Sequence, residues 1–333
     1  IFLAHIDDIA TEFDLPVRTL HADLRFGLPP LVEDWADLVF TDPPYTPEGV
    51  GLFAGQGASA LRGPHGRVLI AYGFSDRTPA LGQKVQQHLL RAGMVFEAIL
   101  PDFHRYHGAQ AIGSASDLYV GLPTSRARKQ PPRPGIYTHG PQSVEAAAAE
   151  PAPELLHVLG EHLGTSVTAL RGPGWSRPLS NSPAPAFDLR ADPGAWLLRM
   201  LLACNAERAV HVVDDHHPDI TSEAARRELS ELVAPKYQLR FVRNVADSGH
   251  ALVVASVRAD APMRGVLRRA HGKLGNTWRE ALIAESGGTL TRRDAAQRVR
   301  QLAPNTVDLE LRLIDLPRHR IKALRRASGA EGC

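Results

Sequence analysis

Residues 37–49 read DLVFTDPPYTPEG. A β-type run ends here in an acid, two prolines and an aromatic. Proline donates no hydrogen bond and fixes φ, so Pro43 and Pro44 stop strand pairing and stiffen the backbone that follows. Asp42 is therefore expected at the carboxyl end of a buried strand, where open α/β sheets place their ligands. A carboxylate beside proline carbonyls is an acceptor-rich corner with few donors. It suits an amine, whose hydrogens it accepts while the nitrogen lone pair is aimed at an electrophile. An amine arriving as an ammonium is bound there and helped to lose its proton. Tyr45 adds a face for a flat base or a cation. The chemistry read from these residues is transfer of a carbon group to nitrogen; a purely structural Asp-Pro-Pro turn is the alternative.

Outward from this stretch, the first 124 residues alternate β-type runs with helix-type segments. IFLAHI (1–6) and VRTLHA (17–22) read as strands, and DLVFTD (37–42) as a strand followed by a helix over 49–62. RVLIAYG (67–73) is the next strand, and PALGQKVQQHLLRAG (79–93) is a helix closed by a glycine. MVFEAILP (94–101) and SDLYVGLP (116–123) follow with no helix pattern between them, which predicts an antiparallel pair. Strands alternating with helices imply an α/β fold with a mostly parallel, doubly wound sheet.

Residues 124–153 are rich in Pro, Ala and Arg and read as a linker. The organisation expected is thus a domain over 1–124, a linker over 125–153, and a second α/β domain over 154–333. That second region opens with a helix (154–163), crosses a Pro/Ser-rich stretch (173–186), and resumes with a helix over 193–204. AVHVVDD (209–215), YQLRFVRN (237–244) and ALVVASV (251–257) read as strands, with a helix over 221–233. Helices over 276–285 and 292–302, a strand DLELRLI (308–314) and a basic helix (317–326) complete it. No internal repeat is evident in the sequence.

The 333 residues are 44% apolar and 22% charged, the composition of a globular chain with enough length for two cores. No apolar run approaches the roughly 18 residues of a membrane span, and no signal peptide precedes the first apolar run. Cys204 and Cys333 form no disulfide framework and no zinc spacing, which points to a reducing, cytoplasmic compartment. Charge is uneven. Residues 1–50 hold ten acids and two arginines, a net of −8, so the other 283 residues carry +10 of the overall +2. An acidic segment around a candidate site favours cationic ligands and repels a phosphate backbone; solvated loop charge is the plainer explanation.

VFTDPPY resembles motif IV of the class I S-adenosylmethionine-dependent amino-methyltransferases, which act on exocyclic amines of nucleic-acid bases. The longer stretch TDPPYTPEGVGLFAGQGASALRG (41–63) is similar to a narrower family, the branched-polyamine aminopropyltransferases or bis(aminopropyl)spermidine synthases. HIDDIATEF, HADLRFGLP and FHRY (103–106) resemble further segments of that family, so the likeness covers 1–124. It implies a Rossmann-like methyltransferase sheet. It also implies transfer of an aminopropyl group from decarboxylated S-adenosylmethionine to a polyamine such as spermidine. Asp42 would hold the acceptor nitrogen and act as base or orienting acceptor, with the Pro43 carbonyl assisting. Tyr45 and Glu48 would line the channel, with Glu48 pairing a distal ammonium. Asp23, beside Leu24, would contact the adenine amino group, and an acid ending the first visible strand would bind the ribose.

Two departures accompany the likeness. The family's ribose acid falls on His5, with Asp7 and Asp8 the nearest acids. The strand and Gly-Asp-Asp-Asp loop expected ahead of this point are not in the sequence, and Ile1 is not methionine. The numbering is therefore expected to start inside a longer protein or at a trimmed end, and residues 1–333 alone are expected neither to bind the donor well nor to transfer a group. A catalytically degenerate binding module is the reading that follows if the loop is truly lost.

Polyamine and nucleic acid make opposite demands on charge. A base methyltransferase using S-adenosylmethionine needs a basic stripe beside the site, whereas the residues flanking this motif are acidic. Arg126, Arg128, Lys129 and Arg133 form a basic cluster suited to phosphate or to a solvated linker. Glu48 faces an ammonium well and a phosphate badly, so the acceptor is read as a polyamine. Whether copies of the chain associate as a homo-oligomer is left open. VVDDHHPD (212–219) has metal-ligating residue types, but adjacent histidines on a strand end rarely share one ion. A polar turn leading into a helix capped at Thr221 or Ser222 is the expectation there. Cys204 follows an apolar helix face and reads as core.

Overall fold

In a computed structural model the described residues are 2–74, 79–106, 115–127, 150–179, 184–245, 249–258 and 263–329. They are α/β, with two four-stranded sheets. Two compact units hold them: residues 22–146 form one, and residues 1–21 with 147–333 form the other.

The chain begins in helix α1 (Phe2–Glu12), not in the strand expected over 1–6. A six-residue apolar run does not distinguish helix from strand. The wider spacing Leu3, Ile6, Ala10 does, because it returns every three to four residues to one helical face, and Ala10 is buried there. α1 belongs to the unit made mainly of the C-terminal residues. Residues 17–22, also expected as a strand, form no regular element; a 3₁₀ turn at Leu24–Phe26 follows, capped by Asp23.

In the unit over 22–146, strand β1 (Leu38–Thr41) is followed by helix α2 (Pro47–Ala60), strand β2 (Arg67–Tyr72) and helix α3 (Pro79–Arg91). Strands β3 (Met94–Arg105) and β4 (Ala115–Pro123) then form the antiparallel pair. The strand order is β1-β2-β4-β3. Only β1 and β2 run parallel, so the sheet is mixed and not mostly parallel as expected. α2 starts where Pro47 supplies the fixed φ of a first helical residue, and where the Thr46 Oγ1 accepts the Gly49 N–H at 3.1 Å. Its small residues Val50, Ala54 and Ala58 let it lie close on Val68 and Ile70, and α3 adds Val85 and Leu89 to the same core. A Cβ on Gly49 would stand 2.9 Å from both the Pro44 Cβ and its carbonyl oxygen, so glycine allows the Pro-Pro turn to rest against the helix. On the opposite face of the sheet Leu38 and Phe40 are more than half exposed.

The second unit contains helix α4 (Pro153–Leu163), strand β5 (Ala186–Leu189), helix α5 (Trp196–Ala203), strand β6 (Arg208–Asp214) and helix α6 (Glu223–Val233). Strands β7 (Tyr237–Val242) and β8 (His250–Val257) and helices α7 (Arg264–Arg268), α8 (Leu274–Glu285), α9 (Arg292–Leu302) and α10 (Arg318–Gly329) complete it. Its strand order, β5-β6-β8-β7, repeats the wiring of the first sheet, with one parallel pair and two antiparallel ones. No repeat is visible in the sequence because the topology recurs with different residues. β5 is short and emerges from the Pro-rich stretch, where no strand is expected. The strand expected over 308–314 is instead two 3₁₀ turns, Thr306–Glu310 and Leu313–Asp315. Leu309, Leu311, Leu313 and Ile314 are all buried there. The alternation reflects tight turns folded around Asp308, held by Arg320, and Asp315, held by Arg312. Most of the linker, with Arg128, Lys129 and Arg133, lies outside the described residues, as does Cys333; Cys204 is buried. No helix among the described residues is long and apolar enough to cross a membrane.

Candidate active site

The carboxyl ends of β1, β2 and β3 and the amino end of β4 meet at one edge of the first sheet. β1 delivers Asp42 to that edge. Pro43 is buried, Tyr45 is half-buried, and Asp42 and Glu48 are exposed at the rim. Because Thr46 caps α2, the Asp42 carboxylate is spared that task. Even at the rim its surroundings strip enough water that burial raises its pKa, against the opposing field of His104.

Tyr45 stands within the field of Asp42 and shares hydrogen bonds with Tyr106 and Ser116. Burial first, then the Asp42 charge, push its phenol up to about 12, so it stays protonated at neutral pH. The Tyr106 hydroxyl and the Ser116 Oγ are 2.9 Å apart. Tyr45 packs edge-on against Tyr72 at 5.3 Å, and Tyr72 meets Phe74 at 6.4 Å and Tyr119 at 6.1 Å. The result is an aromatic wall beside a carboxylate, the arrangement that suits an organic cation.

A bulge places β3 in this site. Pairing with β4 shifts between Leu100 and His104. Within the bulge Asp102 takes φ 51°, and its N–H is held by the Asp117 carboxylate at 3.0 Å. Bulges of this kind re-aim side chains at sheet ends. Here His104 is brought opposite Ser116, with its ring 5.7 Å from Phe40 and 4.9 Å from Phe103. Sequence reasoning missed His104, Ser116 and Tyr72. They are joined to Asp42 only through strand register, which leaves no local signature.

The remaining expected site residues go elsewhere. Asp23 and Leu24 lie in the same unit as Asp42, but Asp23 accepts from the Arg25 backbone at 3.1 Å and Nε at 2.8 Å and pairs with its Nη2. Asp7, expected at a strand end against the donor ribose, lies in a helix of the other unit. Its carboxylate accepts from Thr19 at 2.8 Å, His319 at 2.6 Å and Arg320 at 2.8 and 2.7 Å. Those four contacts fill the acceptor sites of a carboxylate, leaving Asp7 a structural tie. Asp8 is exposed on the same helix.

The polar turn after β6 proves to be a set of separate contacts leading into α6, which is capped by Ser222. Asp215 holds Arg243, Asp219 holds Arg318, and Asp214 accepts from the His216 N–H. The His217 Nε2–H donates to Asp192 at 2.9 Å while its Nδ1 accepts the Asp219 N–H. Asp192 and His217 have fully buried side chains.

Residues 2–127 match the family model described as the branched-chain polyamine synthase A C-terminal domain. The resemblance read from the TDPPY stretch is thereby shown for that segment. An uncharacterized protein of Methanocaldococcus jannaschii is 29% identical over 111 residues, 33% of this chain and 28% of that protein. Two solved structures are also similar. One is the Thermus thermophilus branched-chain polyamine synthase C9 mutein in complex with N4-aminopropylspermidine and 5'-methylthioadenosine. It is 23% identical, covers 39% of this chain and 43% of that one, and has a TM-score of 0.35. The other is the branched-chain polyamine synthase of the same organism with the same two molecules, 23% identical over 38% and 43% of the chains, with a TM-score of 0.31. This chain thus spans less than half the length of each of these relatives.

Proposed function

We propose that the unit over 22–146 carries the acceptor side of an aminopropyltransferase, moving an aminopropyl group from decarboxylated S-adenosylmethionine to a polyamine nitrogen. The observation that carries this reading is Asp42. It is a carboxylate at a strand end, relieved of helix capping by Thr46, beside the Pro43 carbonyl and an aromatic wall, within the segment matched by the family model.

Asp42 accepts hydrogens of the acceptor nitrogen and aims its lone pair at the carbon bonded to sulfur. The N–C bond forms as the C–S bond breaks, and sulfur leaves as a neutral thioether. Tyr45, protonated, offers its ring to the cationic chain, and Glu48 at the rim pairs a distal ammonium. Asp23 and Leu24 remain the proposed donor contacts, with Asp23 held in place by Arg25.

The test is to incubate the intact protein with labelled decarboxylated S-adenosylmethionine and spermidine, and separately with labelled S-adenosylmethionine and DNA. Label is expected in the polyamine fraction alone, and D42N is expected to reduce it at least about 100-fold. Label in DNA, or transfer unchanged in D42N, would overturn the reading.

A further inference from the structure

His104 has a held ring and an unused nitrogen. Edge contacts from Phe40 and Phe103, at interplanar angles of 76° and 81°, and the near-parallel ring of Tyr106 at 6.4 Å enclose it on three sides. The Nε2 is buried and has no hydrogen-bond partner among the described residues. A buried polar atom left unpaired is unfavourable and calls for an explanation. The ring lies close enough to Asp42 for its field to oppose the effect of burial on that carboxyl.

Aminopropyl transfer supplies a role for such a nitrogen, and the inference rests on that reading of the site. A polyamine nitrogen arrives protonated, and an ammonium has no lone pair with which to attack. One proton must leave first. A carboxylate is a weak match for an alkylammonium proton, whereas an imidazole is the side chain that titrates nearest neutrality. We propose that His104 receives this proton at Nε2, while Asp42 orients the nitrogen. The neutral secondary amine then attacks the sulfonium-bound carbon, and the C–S electron pair returns to sulfur. The new tertiary nitrogen keeps its remaining hydrogen as an ammonium, and the proton on His104 passes to water. Charge and atoms balance with no further reactant.

Among the described residues, the other titratable or charged groups at this end of the sheet are Asp42 after β1, Tyr45 ahead of α2, Glu48 in its first turn and Tyr72 closing β2. Asp102, Arg105 and Tyr106 lie on β3 and its end, and Asp117 lies on β4. Tyr45 and Tyr72 are both pushed up to about 12, in each case by burial first, so neither changes charge near neutrality.

The test uses the intact protein with decarboxylated S-adenosylmethionine and spermidine, as wild type, H104Q and H104A, from pH 6 to 9. H104Q is expected to lower kcat about 100-fold with the spermidine KM within about threefold. It should also flatten the fall of kcat/KM on the acid side. H104A should recover at least about tenfold when imidazole is added, which a merely structural defect would not do. A wild-type-like kcat and pH profile in H104Q, or a loss confined to KM, would overturn the role of His104 and leave the transfer reading standing. A wild type that transfers nothing to spermidine would remove both.

Discussion

Replacing Asp192 by alanine is the sharpest test of how the second unit is held together. Its Oδ1 accepts the N–H groups of Gly194, Ala195 and Trp196 at 2.8–2.9 Å, and its Oδ2 accepts from Leu197 at 2.7 Å and from His217. No solvent reaches the carboxylate or its histidine partner. Alanine would leave the start of α5 uncapped and the His217 N–H buried without an acceptor. Breaking one partner of such a buried pair costs about 3–5 kcal/mol. Taking about 4 kcal/mol for a unit of this size corresponds to a fall in Tm of roughly 8–16 °C. D192N keeps one acceptor oxygen but turns an amide toward His217, and should lose about half as much. Burial alone would raise the Asp192 pKa, but His217 and the backbone donors outweigh it and hold the carboxyl below its usual range. The unfolded chain therefore binds more protons in that window. The contribution is present above the ordinary carboxylate range and fades as pH falls through the lowered folded value. Thermal melts followed by circular dichroism at pH 7, and at a series of pH values below the ordinary carboxylate range, measure both effects. A D192A protein melting within about 2 °C of wild type would refute the assignment.

Two other outcomes are expected. D7N should weaken the tie between α1 and α10 by about 2 kcal/mol, speeding amide exchange across residues 2–12 roughly 30-fold; unchanged exchange would show that the Asp7 contacts hold nothing. Lys236 is buried with its Nζ donating to the Leu202 carbonyl at 2.6 Å, and burial pushes it down to about 7. Since an unfolded lysine keeps its proton to about pH 10, the stability of this unit should climb from pH 7 to 9 by up to about 1.4 kcal/mol per pH unit. K236M should flatten that slope in urea titrations, and equal slopes would defeat the argument.

The strand at 38–41 and its Asp-Pro-Pro-Tyr end were legible because proline and an acid at a strand end admit few explanations, but the strand is a half-exposed sheet edge and not the buried one expected. The β3–β4 pair was legible because no helical spacing separates the runs. α1 was misread because six apolar residues fit either period, and the evidence for a helix lies in the next six. His104 and Ser116 could not be found from sequence. Their meeting depends on a bulge at Asp102 that shifts pairing; FHRY (103–106) marks the neighbourhood by resemblance without singling out His104. Asp7 shows the converse: an acid near the expected place acquired a different duty through Arg320, more than three hundred residues away.

Each sheet's first strand is followed by an Asp-Pro pair, Asp42-Pro43 directly after β1 and Asp192-Pro193 after a two-residue turn beyond β5. In the first, Thr46 secures the following helix; in the second, the aspartate does so itself. Under the proposed function, an acid at this joint is thus free for chemistry or bound to structure, according to whether a neighbour relieves it. On that reading the gain or loss of one capping neighbour is enough to move the acid from one duty to the other.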